Sequence, residues 1–103
     1  LKGIINMNMQ AMMAQARKIQ KELEKTTTEI EGTTFTCENE NVLVECLGNN
    51  KVTKIVIKNE SILEDGELLV DIVLVAVNNV LEQVRKEKDK KLGKYTGGLG
   101  GLF

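Results

Sequence analysis

Residues 7–30 run without glycine or proline. They place apolar or small side chains at Met9, Met12, Ala16, Ile19, Leu23, Thr26 and Ile30, in steps of 3, 4, 3, 4, 3 and 4. That spacing is the heptad seam of an α-helix that packs against another helix. A helix over 7–30 is about 35 Å long, more than the remainder of a 103-residue chain can cover. Part of it is expected to project or to pair with a second helix. Thr26-Thr27-Thr28 are poor helix formers and mark where fraying is expected.

The period changes at Gly32. Thr33–Glu38, Val42–Leu47 and Val52–Lys58 are rich in Val, Ile, Thr and Phe and read as three strands of an antiparallel meander over 33–58. Asn39-Glu40-Asn41 and Gly48-Asn49-Asn50 are the turns between them, the second suited to a tight hairpin because Asn tolerates positive φ. A two-residue Asn49-Asn50 turn sets Leu47 opposite Val52, Glu45 opposite Lys54 and Val44 opposite Ile55. One face then carries Val42, Val44, Cys46, Ile55 and Ile57, the other Leu43, Leu47, Val52 and Val56 around a Glu45–Lys54 pair. Both faces are largely apolar, so the second calls for a covering layer of its own.

Residues 60–64 connect the sheet to Asp65, which is placed to cap a helix starting at Gly66-Glu67. Leu69, Val73, Ala76, Val80 and Val84 keep helical spacing, and Leu74, Val77 and Leu81 form a second stripe beside them. A helix over 66–92 that is apolar across so wide an arc is buried on two sides. In a chain of this size the second side is expected to meet another copy. The candidate dimer interface is Val42, Val44, Ile55, Ile57, Leu74, Val77 and Leu81. Residues 93–103 hold five glycines and read as a flexible tail with small hydrophobic anchors. The expectation is a single α+β domain over 1–103. It has a long N-terminal helix, a three-stranded antiparallel meander, a long C-terminal helix and a Gly-rich tail, assembled as a homodimer.

The chain has no His, so no Ser-His or Cys-His dyad and no imidazole base or metal ligand is available. Neither G-x-G-x-x-G nor G-x-x-x-x-G-K occurs, and the acids Glu64-Asp65 are explained by the helix start. Cys37 and Cys46 stand nine apart without a C-x-x-C, which reads as two buried thiols in a reducing compartment. No apolar run reaches the ~20 residues of a membrane helix, and the opening Leu1–Ile5 is too short for a signal peptide. The expectations are no enzyme activity, no cofactor, metal, small-molecule substrate or membrane partner, and a place in the cytoplasm.

The formal net charge of −1 hides a division: residues 1–21 carry +4, 22–84 carry −9 and 85–103 carry +4. Clustered Lys and Arg on helices suit the phosphates of a duplex. This makes Arg17, Lys18, Lys21 and Lys25 on the first helix, with Arg85, Lys86, Lys88, Lys90 and Lys91 on the second, the candidate DNA contacts. Three aromatics cannot build a stacking platform for single-stranded bases, so the expected ligand is duplex backbone read with little sequence preference. The alternative is a protein-interaction module in which Met7, Met9, Met12 and Met13 form an adaptable docking seam and DNA is incidental.

Taken in order, several segments resemble the YbaB/EbfC family of bacterial nucleoid-associated proteins across nearly the whole chain. They are the Met/Gln-rich opening from Met7 to Ala16, Ile30-Glu31-Gly32-Thr33, Leu63-Glu64-Asp65, then Leu69, Asp71, Val73 and Ala76-x-Asn78, and last Thr96-Gly97-Gly98-Leu99 with Gly101-Leu102-Phe103. The chain departs from the family pattern at 35–41, where several glycines are usual, and at Gly100, where Pro is frequent. The resemblance implies a small homodimer with protruding helices that binds DNA with little sequence preference in the nucleoid and affects gene expression. Its dimer would cover the second sheet face and the wide helix arc.

Overall fold

The computed structural model describes the backbone of residues 2–97 and the side chains of residues 8–95. The uninterrupted helical pattern of the opening segment forms α1 (Lys2–Glu31), longer at its start than the 7–30 expected. The three threonines do not fray it, and helix continues through them to Glu31. Their weak intrinsic preference is overridden by packing, since Thr26 and Thr27 are half-buried and Ile30 is buried below them. The Gly32 N–H reaches the Thr28 carbonyl at 3.2 Å, and the Thr33 hydroxyl donates to the Glu29 carbonyl at 2.7 Å, which closes the helix.

β1 (Thr34–Glu38), β2 (Val42–Leu47) and β3 (Val52–Ile57) form an antiparallel sheet in the order β1-β2-β3. The Asn39 side chain sets the first turn, accepting from the Asn41 and Val42 N–H groups at 2.8 and 2.9 Å. Val44 pairs with Ile55 and Glu45 with Lys54 as expected, but the partner of Val52 is Cys46, not Leu47. The loop is longer than a two-residue turn: Leu47 N–H bonds to the Lys51 carbonyl at 2.9 Å, and Asn50 takes the left-handed conformation at φ 68°. A three-residue loop closed by a left-handed residue carries a bulge into the strand, here between Glu45 and Cys46. The slip moves Val52 to the face of Cys46. The opposite face keeps Leu43, Leu47 and Val56 among Thr34, Thr36, Glu38, Glu45 and Lys54, and is less apolar than the two-residue turn implied.

A 3-10 turn over Glu60–Glu64, capped by Asn59, leads to α2 (Gly66–Gly97). The Asp65 carboxylate accepts from the Leu68 N–H at 3.1 Å, the cap the sequence indicated. α2 passes the expected end at 92 and is helical to Gly97, so residues 93–97 are helix and not tail. The remainder of the expected tail, 98–103, lies outside the described residues. The core is the contact of α2 with β1 and β2: Ala76, Val80 and Val84 meet Phe35, Val42, Val44 and Cys46. Each wholly buried valine here contributes about 1.5–3 kcal/mol. Burial pushes the Cys46 thiol above its ordinary pKa, and its Sγ lies 3.8 Å from the Val80 carbonyl oxygen. The chain measures 78 × 23 × 15 Å with a radius of gyration of 21.2 Å. A compact chain of this length would give about 13 Å; the excess comes from the long helices, whose far parts leave the sheet.

Candidate nucleic-acid interface

Beyond the sheet, α1 and α2 run antiparallel as an arm. Thr26 and Glu29 stand beside Lys90, Lys91 and Lys94, and one turn further Leu23 and Gln20 stand beside Lys94 and Tyr95. The arm exists because α1 carries an apolar seam and α2 sets half-buried Tyr95 beside it. With 100° of turn per residue, Arg17, Lys21 and Lys25, four apart, and Lys18 fall on the side of α1 opposite that seam. All four are exposed, and none belongs to an ion pair found among the described residues.

The basic residues of α2 are less free. Arg85 is gripped from both sides: its guanidinium donates to the Glu82 carboxylate, including an Nε bond of 3.0 Å, and its Nη1 meets Asp89 Oδ2 at 2.8 Å. The Arg85 hydrogen bonds hold the Glu82 carboxyl below its ordinary pKa, and Glu82 in turn raises that of Arg85. Lys91 Nζ lies 3.7 Å from Glu87. These pairs are solvent-exposed and individually weak, so they yield to a phosphate at modest cost. Lys86 and Lys90 flank a shallow hollow floored by Phe35 and Gln83, and Lys88 is half-buried.

The nine candidate cations therefore lie on the two helices, the α1 set on the outer side of the arm and the α2 set distributed around its helix. Lys94 joins them. Ending the helix at 92 left it out, although the four-residue series Lys86, Lys90, Lys94 is visible in the sequence. Its ammonium sits 5.0 Å from the Tyr95 ring centroid.

A second surface is apolar. Gln83 donates to the Thr36 carbonyl at 3.0 Å, which orients one shoulder of α2 towards the β1 edge. Leu74, Val77 and Leu81 occupy the opposite shoulder, towards β3. α2 covers β1 and β2 and leaves β3 bare, so Ile55 is 48% exposed on the same sheet face as buried Val44. Leu74 is 56% exposed, and Leu68, Val70 and Val75 are exposed too. Of the candidate interface residues, Val42 and Val44 are wholly buried beneath α2 within the chain and offer no surface to another molecule. The register put them on the right face, but strand position alone did not show that the helix sits over β2.

A helix-covered three-stranded sheet carrying a two-helix arm with exposed cations defines a small α+β protein with a basic extension. The chain belongs to the YbaB/EbfC DNA-binding family, whose model matches residues 6–99. It is 44% identical over 96 residues to a nucleoid-associated protein of Lactococcus lactis subsp. lactis, covering 90% of this chain and 97% of that one. It is 38% identical over 99 residues to a nucleoid-associated protein of Ligilactobacillus salivarius, covering 93% and 95%. A nucleoid-associated protein of Enterococcus faecalis is 38% identical over 98 residues, covering 92% and 94%.

Proposed function

We propose that the chain is a nucleoid-associated protein that holds duplex DNA by its phosphates with little sequence preference, as a homodimer, and thereby affects gene expression. The observation that supports the reading is the set of exposed cations that a member of a DNA-binding family carries on its two helices, Arg17 to Lys25 on the arm and Arg85 to Lys91 where α2 leaves the sheet. Arg17, Lys18, Lys21 and Lys25 supply α1 cations that form no ion pair among the described residues, and Arg85, Lys86, Lys88, Lys90 and Lys91 supply the α2 side. A shortage of aromatics and the lack of a helix shaped to read a groove leave phosphate contact as the source of affinity. The acidic remainder of the body repels DNA and so confines contact to the arm and its base. Ile55, Ile57, Leu74, Val77 and Leu81 form the dimer surface, which sets two arms on one assembly.

The test is a titration of two unrelated duplexes over a series of salt concentrations. The expected result is binding that weakens steeply with salt, with a slope of about −0.9 per phosphate contact. Replacing Arg17, Lys18 and Lys21 by Ala should weaken both duplexes equally and flatten the slope by about 2–3 units. Binding that ignores salt, or an equal slope in the triple variant, overturns the reading.

A further inference from the structure

The arm is unequal. α2 ends at Gly97, roughly level with Gln20, while α1 continues to Lys2, about 27 Å further. Where α2 stops, an open apolar groove of about 790 Å³ begins, lined chiefly by Met12, Ala16, Ile19 and Leu23 of the heptad seam and by Tyr95. Met12 is 70% exposed and Met9 and Met13 lie in the open as well, an apolar surface that water does not favour. Residues 98–103 follow directly from the mouth of this groove, since Tyr95 is one of its walls.

The sequence of that segment matches the groove in reach, chemistry and rhythm. From Leu23 beside Tyr95 past Ile19 to Ala16 the groove runs about 10 Å along α1, and a helical continuation of six residues would rise about 9 Å beyond Gly97. Residues 98–103 carry Leu99, Leu102 and Phe103 and no charged side chain. Leu92, Tyr95, Leu99 and Leu102 are spaced 3, 4 and 3 in the sequence, so a helix carried past Gly97 would keep them on one side. Facing it, Met12, Ala16, Ile19 and Leu23 are spaced 4, 3 and 4 on an antiparallel helix.

We propose that residues 98–103 dock into this groove of their own chain, with Leu99 set against Ile19 and Leu102 against Ala16. The segment is an intramolecular strap that keeps the α1 seams of separate molecules from joining. Gly98, Gly100 and Gly101 raise the entropy lost on docking, which keeps the strap reversible. The idea does not depend on DNA binding, and its test uses no DNA.

Ala16→Cys with Leu102→Cys, in the full chain, places a thiol on each side of the proposed contact. Mild oxidation should link 16 to 102 within one chain at least tenfold faster than 18 to 102 in a Lys18→Cys control, whose residue lies on the opposite side of α1. Peptide mass spectrometry distinguishes these links from any to Cys37 or Cys46. Equal rates, or links that join residue 16 of one chain to residue 16 or 102 of another, overturn the proposal, the latter by naming a second copy as the occupant. Truncation after Gly97 is an independent check. It should raise binding of an apolar dye severalfold and increase self-association, and unchanged dye binding overturns the strap.

Discussion

Arg85 shows how a cation can be present and yet partly spent. Its guanidinium is held by Glu82 and by Asp89, one turn away on either side. A phosphate must displace those carboxylates, so the net gain from the contact is the difference between two charge-assisted interactions. The double variant Glu82→Gln with Asp89→Asn should therefore bind duplex DNA several-fold more tightly at low salt, with a steeper salt slope; unchanged affinity would place Arg85 off the DNA path. The linkage has a definite sign. Glu82 has its pKa lowered in the folded chain, chiefly by the Arg85 hydrogen bonds, so the stabilisation from this pair is present above the ordinary glutamate range and is lost as pH falls through the lowered value. Gly48 makes the opposite point about visibility. It reads as a turn residue, yet its φ is not the reason it must be glycine: an added Cβ would lie 1.8 Å from the Ile30 carbonyl oxygen. The end of α1 rests on the β2–β3 loop through this close backbone approach, and no local pattern announces a contact between residues 18 apart.

At the scale of elements, periodicity carried most of the reading because each element buries one face. The heptad of α1, the β-rich runs and the Asp65 cap all declare themselves locally, and the helices, the sheet and its antiparallel order follow. What escaped was set by neighbours. Thr26–Thr28 stay helical because of what packs on them, and the bulge at Glu45/Cys46 follows from Asn50 adopting a left-handed conformation in a loop one residue longer than assumed. α2 outlasts its expected end where Tyr95 lies beside α1 and Leu92 is half-buried, packing that outweighs the helix-weakening Gly93. A Cβ at Gly93 would meet nothing within 4 Å, so an alanine there has space. Gly93→Ala should raise stability by about 0.5–1 kcal/mol, measured as a higher Tm with greater helical circular dichroism. A loss of stability instead would show that the Gly93 backbone needs its freedom where the arm begins.

For the whole molecule, the decisive quantity is apolar surface that the chain does not cover. Ile55, Leu74, Val70 and Leu68 are each about half or more exposed, and β3 is an edge strand with no helix over it. A solitary chain gains little by leaving such side chains in water, whereas a second copy related by a two-fold axis buries the same patch twice. The proposed dimer would join the sheet bodies and leave both arms free, so that one assembly would present two sets of cations to a duplex and the second contact would be effectively intramolecular. Leu74→Glu sets a charge at the middle of the patch without touching the core residues Val80 and Val84. It should convert a dimer to a monomer in sedimentation at micromolar concentration while far-ultraviolet circular dichroism stays native. DNA affinity should then fall by tenfold or more although no cation has been removed, and the salt slope should drop to about half, because each binding unit now carries one arm. A wild-type mass equal to a single chain would refute the two-armed assembly. A monomeric variant with full affinity and slope would show that one arm suffices.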